Sequence, residues 1–284
     1  MADNNSINDR QETGRTLPAV EILKDISDKR SAVKAVIFDF DGTISTLRQG
    51  WEEIMEPLMV EMIAGEEVPN QKLVDEVREY IDESTGIQTI FQMQWLEKEV
   101  RRRGLNPRVH DAWWYKDEYN RRLLEMVKVR VEKLEQGIKA PEDFMIAGAE
   151  AFIECLCSKG LDLYIASGTD HQDVVREAAA LGLSKYFTQI QGAPERRADC
   201  SKEAVIRLLM ETKGLSGKEL LVIGDGKVEI ALGLEVGAVT LGVAADEIRR
   251  RGLDPVKRNR LIKAGAHMII QDFSGSEEVL NLLF

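Results

Sequence analysis

A run of apolar residues that ends in two carboxylates constrains this chain more than any other feature. The run is Ala35–Phe38, and Asp39, Asp41, Gly42 and Thr43 follow it. Its continuity and its β-branched residues predict a buried strand, with Asp39 at the carboxyl end. Two buried carboxylates are costly unless they are paired or bind a metal. The pattern therefore predicts an α/β sheet with a ligand site at this edge, where metal-assisted covalent catalysis takes place.

Two later segments also read as apolar strands that end in polar residues. The first ends in Ser167 and Gly168, where a hydroxyl and backbone N–H groups before a helix suit a phosphate oxygen. We expect Asp170 to cap that helix. The second ends in Asp225, and Glu229 follows four residues later, about one helical turn, so both can face one site. Carboxylate oxygens are ligands that Mg²⁺ prefers.

A lysine lies between these two segments, at the beginning of a predicted helix. Lys202 falls in the first turn, and Ser201 is the expected cap. A cation is mildly unfavourable near a helix start, so its position is better explained if it faces a phosphate. Lys185 and Arg197 are alternative candidates for this role.

Taken in order, the four segments resemble the signature of the haloacid dehalogenase-like hydrolases, which begins Asp-x-Asp-x-Thr after a hydrophobic strand. The resemblance covers residues 33–284 and is closest to the phosphatase branch with a helical cap. It implies phosphoryl transfer through an aspartyl-phosphate, with Mg²⁺ as cofactor. In that scheme Asp39 is the nucleophile, Asp41 is the acid and base, and Thr43 orients Asp41 or the end of the strand.

The same resemblance implies the remaining site residues. Ser167, Gly168 and Lys202 would bind the phosphoryl group. The metal would be held by Asp39, by the backbone carbonyl of Asp41, by Asp225, and by Glu229 directly or through water. Aspartate is common where this chain has Glu229, so direct ligation stays open, and the frequent Lys-Pro pattern is absent at Lys202.

The organisation of the chain follows from where strands and helices are expected. The resemblance implies a Rossmann-like core with a parallel sheet, into which an all-helical cap domain is inserted. The predicted domains are a polar tail with a short helix (1–32, the helix at 17–26), the catalytic core (33–44 and 145–284) and the cap (45–144). Helices are expected at about 49–64, 71–82, 87–103, 107–136 and 141–159, and further strands at 187–191, 220–223, 239–243 and 268–270.

Substrate choice is expected to lie with the cap. Arg48 follows the first strand closely, and the turn at 84–88 matches the position of the family's specificity loop. Gln88 and Gln92 lie one helical turn apart, and their amides suit hydroxyl groups. We therefore expect a sugar or polyol phosphate, although an ordinary solvated helix face explains the two glutamines equally well.

Composition restricts the partners. With 38 basic and 49 acidic residues the net charge is −11, which argues against general nucleic-acid binding. No apolar run is long enough to span a membrane, the first residues do not form a secretory signal, and three cysteines suit a reducing cytoplasm. We expect a cytoplasmic enzyme that acts on a small phosphorylated metabolite, as a monomer or a homodimer.

Three other functions compete with the phosphatase. A phosphomutase would use the same scaffold, and a phosphonate hydrolase would need a cap lysine, which residues 49–64 lack. A non-enzymatic binding module is disfavoured because all four segments are intact. Asp41 favours phosphate chemistry, because the dehalogenase branch attacks carbon and does not need this acid.

Overall fold

A seven-stranded sheet forms the centre of the protein, in a computed structural model that describes residues 19–29, 32–198 and 201–284. The strands are β1 (Val20–Ile22), β2 (Ala35–Phe38), β3 (Asp162–Asp170), β4 (Gln189–Ala193), β5 (Leu220–Gly224), β6 (Val239–Val243) and β7 (Met268–Ile270). Their order is β1-β7-β6-β5-β2-β3-β4, and every neighbouring pair is parallel except β1 with β7. The predicted α/β fold with a parallel sheet is confirmed.

Helices occupy most of the chain between and after these strands. They are α1 (Glu52–Ala64), α2 (Gln71–Ser84), α3 (Thr89–Arg103), α4 (Ala112–Glu135), α5 (Ala149–Ser158), α6 (His171–Ala180), α7 (Ser201–Thr212), α8 (Lys227–Glu235), α9 (Pro255–Ala264) and α10 (Ser276–Leu283). The first four all lie between β2 and β3, as the sequence predicts. The division into core and cap at residues 45 and 144 stays a prediction.

The register of the sheet places three strand ends side by side. Phe38 in β2 is level with Ile165 in β3 and with Ile223 in β5. Parallel strands bring their carboxyl ends to one edge, so the residues after these three positions meet there. Because β2 lies between strands that come from later parts of the chain, this edge is where the strand order changes direction.

Capping residues explain where two of the inserted helices begin. The Asn70 side chain accepts a hydrogen bond from the Leu73 N–H at 2.9 Å, and α2 begins directly afterwards. Asp111 accepts from the Trp114 N–H at 2.9 Å, so α4 begins at Ala112, later than the predicted residue 107.

Two predictions about secondary structure are wrong within the described residues. The segment predicted as a helix at 17–26 contains β1, which pairs antiparallel with β7 and buries Val20; residues 1–18, 30 and 31 of the predicted tail lie outside the described part. The helix predicted at 141–159 is a short 3₁₀ turn, Pro141–Phe144, followed by α5. Gly148, with φ of +77°, separates the two.

Within the described ranges, no helix is both long and apolar enough to cross a lipid bilayer.

Candidate active site

The edge where β2, β3 and β5 end opens into a cavity of about 430 Å³. The N–H of Asp39 donates to the carbonyl of Ile223 at 2.8 Å, which extends the pairing of β2 with β5 by one residue. Asp39 therefore leaves the sheet next to Asp225, and Ser167 leaves it on the other side. All three residues line the cavity, as do Asp41, Gly168 and Lys202.

Lys202 joins two of the carboxylates. Its Nζ lies 3.0 Å from Asp39 Oδ1 and 2.8 Å from Glu229 Oε2, and all three side chains are buried. Burial raises the pKa of Asp39 well above its usual range, and the Lys202 charge opposes this. Burial would lower the pKa of Lys202, but Asp39 and Glu229 outweigh it and raise that pKa. The predicted cation thus faces the predicted nucleophile.

Lys185, the first of the two alternatives to Lys202, lies against the Tyr186 ring at the surface, with its Nζ 3.9 Å from Glu150. The side chain of Ser201, the expected cap, and residues 199–200 lie outside the described part.

Two hydroxyl groups of the β3 end hold Asp41. Its Oδ2 accepts hydrogen bonds from Thr169 Oγ1 at 2.8 Å and from Ser167 Oγ at 3.3 Å. Its Oδ1 accepts no hydrogen bond from any described residue and lies 3.9 Å from Arg48 Nε. One carboxylate oxygen is therefore fixed by the sheet edge, and the other is buried without a hydrogen-bond partner among the described residues.

Asp225 is held by a hydroxyl and an ammonium group. Thr43 Oγ1 donates to Asp225 Oδ1 at 3.3 Å, so its side-chain partner is Asp225 and not Asp41, one of the two roles expected from the resemblance. Lys257 Nζ lies 2.6 Å from Asp225 Oδ2 and 2.6 Å from Glu247 Oε1. Gly42, at φ +73°, makes room for this arrangement, because a Cβ there would lie 2.5 Å from Asp225 Oδ2.

Three carboxylates can approach one cation. Oxygens of Asp39, Asp225 and Glu229 lie within 4.8 Å of one another. Such hard oxygen donors fit Mg²⁺. Glu229 Oε1 also accepts from the Gly226 N–H at 2.5 Å, and its Oε2 faces Lys202. Both Glu229 oxygens thus have protein partners, as do both oxygens of Asp225, so direct ligation by Glu229 and ligation through water both stay open.

Arg48 reaches the cavity, but other carboxylates occupy its guanidinium. Its Nη2 lies 2.7 Å from Glu177 Oε1 and 3.3 Å from Asp173 Oδ2, and its Nε donates to Glu177 as well. Glu177 is fully buried in α6. Burial would lower the pKa of Arg48, but Glu177 and the neighbouring carboxylates raise it. The pair fastens the segment before α1 to α6.

The turn between α2 and α3 lies over the strand ends. A Cβ on Gly168 would lie 3.5 Å from the Ile87 carbonyl and 3.7 Å from Gln88 Cα, and a Cβ on Gly86 would lie 3.9 Å from Glu229 Oε2. Gln92 is among the described residues that line the cavity and Gln88 is not, although both are buried. Of the two predicted glutamines, Gln92 is the one that reaches the cavity.

Asp170 does not cap α6 as expected. Its side chain makes no capping hydrogen bond; it accepts instead from Asn120 Nδ2 at 2.8 Å and from Lys116 Nζ, both on α4. The motifs also give no indication of Thr169, Glu177, Glu247 or Lys257. Thr169 could have been found as a second hydroxyl beside Ser167, whereas the other three are charged residues on distant segments whose pairing only the fold creates.

A family model of haloacid dehalogenase-like hydrolases matches residues 33–237, most of the chain. The chain belongs to the haloacid dehalogenase-like hydrolases. No curated protein matches it.

Solved structures with the same fold share little sequence with the chain. A predicted phosphoglycolate phosphatase from Haemophilus somnus has a TM-score of 0.61 at 15% identity, covering 88% of this chain and 99% of its own. A predicted phosphatase from Clostridium acetobutylicum has a TM-score of 0.57 at 18% identity, with coverage of 88% and 99%. A β-phosphoglucomutase from Clostridium difficile has a TM-score of 0.57 at 13% identity, with coverage of 88% and 97%. These likenesses establish the fold of this haloacid dehalogenase-like hydrolase.

Proposed function

We propose that the protein is a Mg²⁺-dependent phosphatase that hydrolyses a small phosphomonoester through an aspartyl-phosphate on Asp39. The observation that carries this proposal is the position of Asp41. One of its oxygens is held by Ser167 and Thr169, the other is buried and accepts no hydrogen bond within the described chain, and Asp41 lines the same cavity as Asp39. An acid next to a nucleophile is what cleavage of a phosphate ester requires.

Each residue then has one task. Asp39 Oδ attacks phosphorus, the ester bond breaks, and the leaving oxygen takes a proton from Asp41. Asp41 then removes a proton from the water that attacks the phosphoaspartate, which releases phosphate and restores Asp39. Lys202, the Ser167 hydroxyl and the Gly168 backbone would bind the phosphoryl oxygens as charge spreads over them.

The metal would be held by Asp39, Asp225 and the Asp41 carbonyl, with Glu229 acting directly or through water. When bound, Mg²⁺ would offset the negative charge of the phosphoryl group and of the carboxylates around it. Arg48 and the turn at 84–88 would bound the rest of the substrate, and Gln92 would offer it an amide. A sugar or polyol phosphate suits these groups.

The test is phosphate release from a panel of phosphomonoesters, with Mg²⁺ and with excess chelator. We expect release that needs Mg²⁺ and is lost by at least about a thousandfold in Asp39→Asn. The matched control is Asp173→Asn, which changes a carboxylate of the Arg48 network that makes no contact with Asp39. Equal activity in Asp39→Asn and wild type would contradict the mechanism.

A second assay distinguishes a phosphatase from a phosphomutase. Phosphorus NMR of a reaction with a hexose 1-phosphate and its bisphosphate would show inorganic phosphate for a phosphatase and an isomeric hexose phosphate for a mutase. Acid-quenched Asp41→Asn protein, given an aryl phosphate that needs no acid to leave, should retain phosphate on Asp39, because the water is no longer activated.

A further inference from the structure

The cavity is lined by more carboxylates than cations, and the cations are already in ion pairs. Eight carboxylates and four cations belong to the lining. The carboxylates are those of Asp39, Asp41, Glu52, Glu53, Asp225, Asp246, Glu247 and Asp254, and the cations are those of Arg48, Lys202, Lys257 and Arg260. Without Asp39, Asp41, Asp225 and Lys202, which are assigned to the phosphate and the metal, five carboxylates and three cations remain, so the rest of a substrate meets a surplus of negative charge.

Every one of the four cations is already paired with protein carboxylates. Lys202 faces Asp39 and Glu229, and Lys257 faces Asp225 and Glu247. Arg48 is held by two carboxylates of α6. Arg260 Nη2 lies 2.8 Å from an oxygen of Asp82, at the end of α2. The described lining thus has no unpaired cation that could bind a second anionic group of the substrate.

The first turn of α1 adds two carboxylates that form no close ion pair. Neither Glu52 nor Glu53 forms an ion pair with any described residue, and both line the cavity. Desolvation raises the pKa of Glu52 to about 7; the negative charges of Glu247 and Asp225 act in the same direction, and a backbone hydrogen bond and the Lys257 charge oppose them. The cavity wall at Glu52 and Glu53 thus already disfavours the charged form of Glu52. It would disfavour an anionic group of the substrate still more.

We infer that the substrate carries a single phosphate and no second anionic group, so that its leaving alcohol is neutral or cationic. This inference rests on the proposed function and narrows it to a substrate class. It excludes phosphorylated hydroxy acids and bisphosphates, in which a carboxylate or second phosphate would lie against Glu52 and Glu247 without a cation to receive it. Hydroxyl groups would instead meet the Gln92 amide and the carboxylates, which accept hydrogen bonds.

Two compounds of nearly equal size test the inference, glycerol 3-phosphate and 3-phosphoglycerate, since they differ by a hydroxymethyl group against a carboxylate. Hydrolysis is measured with the wild-type protein and Mg²⁺. Binding is measured by calorimetry with Asp39→Asn, which the proposed chemistry leaves without turnover. We expect kcat/KM and affinity to favour glycerol 3-phosphate by at least about tenfold.

A variant of Glu52 tests whether the negative charge of the cavity wall causes the preference for glycerol 3-phosphate. In Glu52→Gln the ratio of the two kcat/KM values should fall by about threefold or more, through a gain on 3-phosphoglycerate. Glu56→Gln is the matched control on the same helix, because Glu56 pairs with Arg78 outside the cavity lining, and it should leave the ratio unchanged.

The outcomes separate the inference from the proposed function. Equal or stronger binding and hydrolysis of 3-phosphoglycerate would overturn the inference while leaving a phosphatase. Tighter binding of glycerol 3-phosphate, with no phosphate released from any compound of the panel, would support the inference and overturn the phosphatase.

Discussion

Arg48 and Glu177 form an ion pair in which both side chains are buried, and the pair lies against the cavity. Charges removed from water are tolerated only when their partners stay in place, and removing one partner typically costs about 3–5 kcal/mol. Exposed pairs between neighbouring turns of a helix contribute at most about 1 kcal/mol. The two kinds of pair therefore allow a direct comparison in one protein.

Glu177→Ala should lower the free energy of unfolding by about 3–5 kcal/mol, because it leaves a buried guanidinium without its main partner. The measurement is chemical denaturation followed by circular dichroism. The control is Glu203→Ala, which removes an exposed partner of Arg207 within α7 and should cost no more than about 1 kcal/mol. Equal losses in both variants would contradict the structural role assigned to Arg48.

At the scale of single residues, the sequence predicts the groups that follow strands and misses the groups that come from elsewhere. Asp39 and Asp225 could be found because an apolar run ends next to each of them. Glu177 and Lys257 could not, because each lies on a helix with many charged positions, and nothing in the spacing says which one turns inward. Arg48 was predicted to bind substrate, and only its buried partners show that its charge is already used.

Among the elements, the turn from β2 to α1 depends on Gly42. Its φ of +73° disfavours any residue with a Cβ, and a Cβ at this position would lie 2.5 Å from Asp225 Oδ2 and 3.0 Å from Glu247 Oε1. Gly104 ends α3 at a similar φ of +64°, but a Cβ there would have no neighbour within 4 Å. The two glycines share the backbone requirement and differ only in their surroundings.

Gly42→Ala and Gly104→Ala should both cost about 1–2 kcal/mol of stability from the left-handed backbone alone. Only Gly42→Ala should also weaken Mg²⁺ binding, by about tenfold or more, since the added methyl group must displace Asp225. Calorimetric titration with Mg²⁺ and thermal unfolding measure the two effects. Mg²⁺ affinity that is unchanged in Gly42→Ala would argue against Asp225 as a ligand.

The same scale shows why some elements were predicted well. The inserted helices α1–α4 have apolar residues at helical spacing and clear breaks between them, so only their ends were misplaced. Helix α4 begins at Ala112 because Asp111 caps it, although proline at 107 had suggested an earlier start. The strand β1 has three residues, and its partner β7 lies about 250 residues away, so local periodicity carried no signal for it.

Across the whole molecule, side chains connect the inserted helices to the sheet on two sides of the cavity. On one side, Lys116 and Asn120 of α4 bind the two oxygens of Asp170. On the other, Arg260 of α9 pairs with Asp82 at the end of α2. Asp170 directly follows Thr169, whose hydroxyl holds Asp41, so the position of α4 and the position of the acid are linked through consecutive residues.

Asp170→Asn should weaken this connection, because it removes the charge that holds the buried Lys116 ammonium. We expect the helices α1–α4 to separate from the sheet more often in the absence of ligand, which would increase the radius of gyration in small-angle X-ray scattering. Saturating substrate should restore the compact form, since a phosphomonoester in the proposed site would contact both the turn at 84–88 and the strand ends. KM should then rise more than kcat falls, because part of the substrate's binding energy is used to bring the helices α1–α4 back onto the sheet.

The control for this prediction is Glu125→Gln, which changes an exposed carboxylate of α4 that pairs within its own helix. It should leave both the scattering curve and KM as in the wild type. If Asp170→Asn lowered kcat without changing KM or the radius of gyration, Asp170 would act only by holding the end of β3 beside Asp41. The helices would then be held to the sheet through the Arg260–Asp82 pair, and the contact of α4 with Asp170 would only position Asp41.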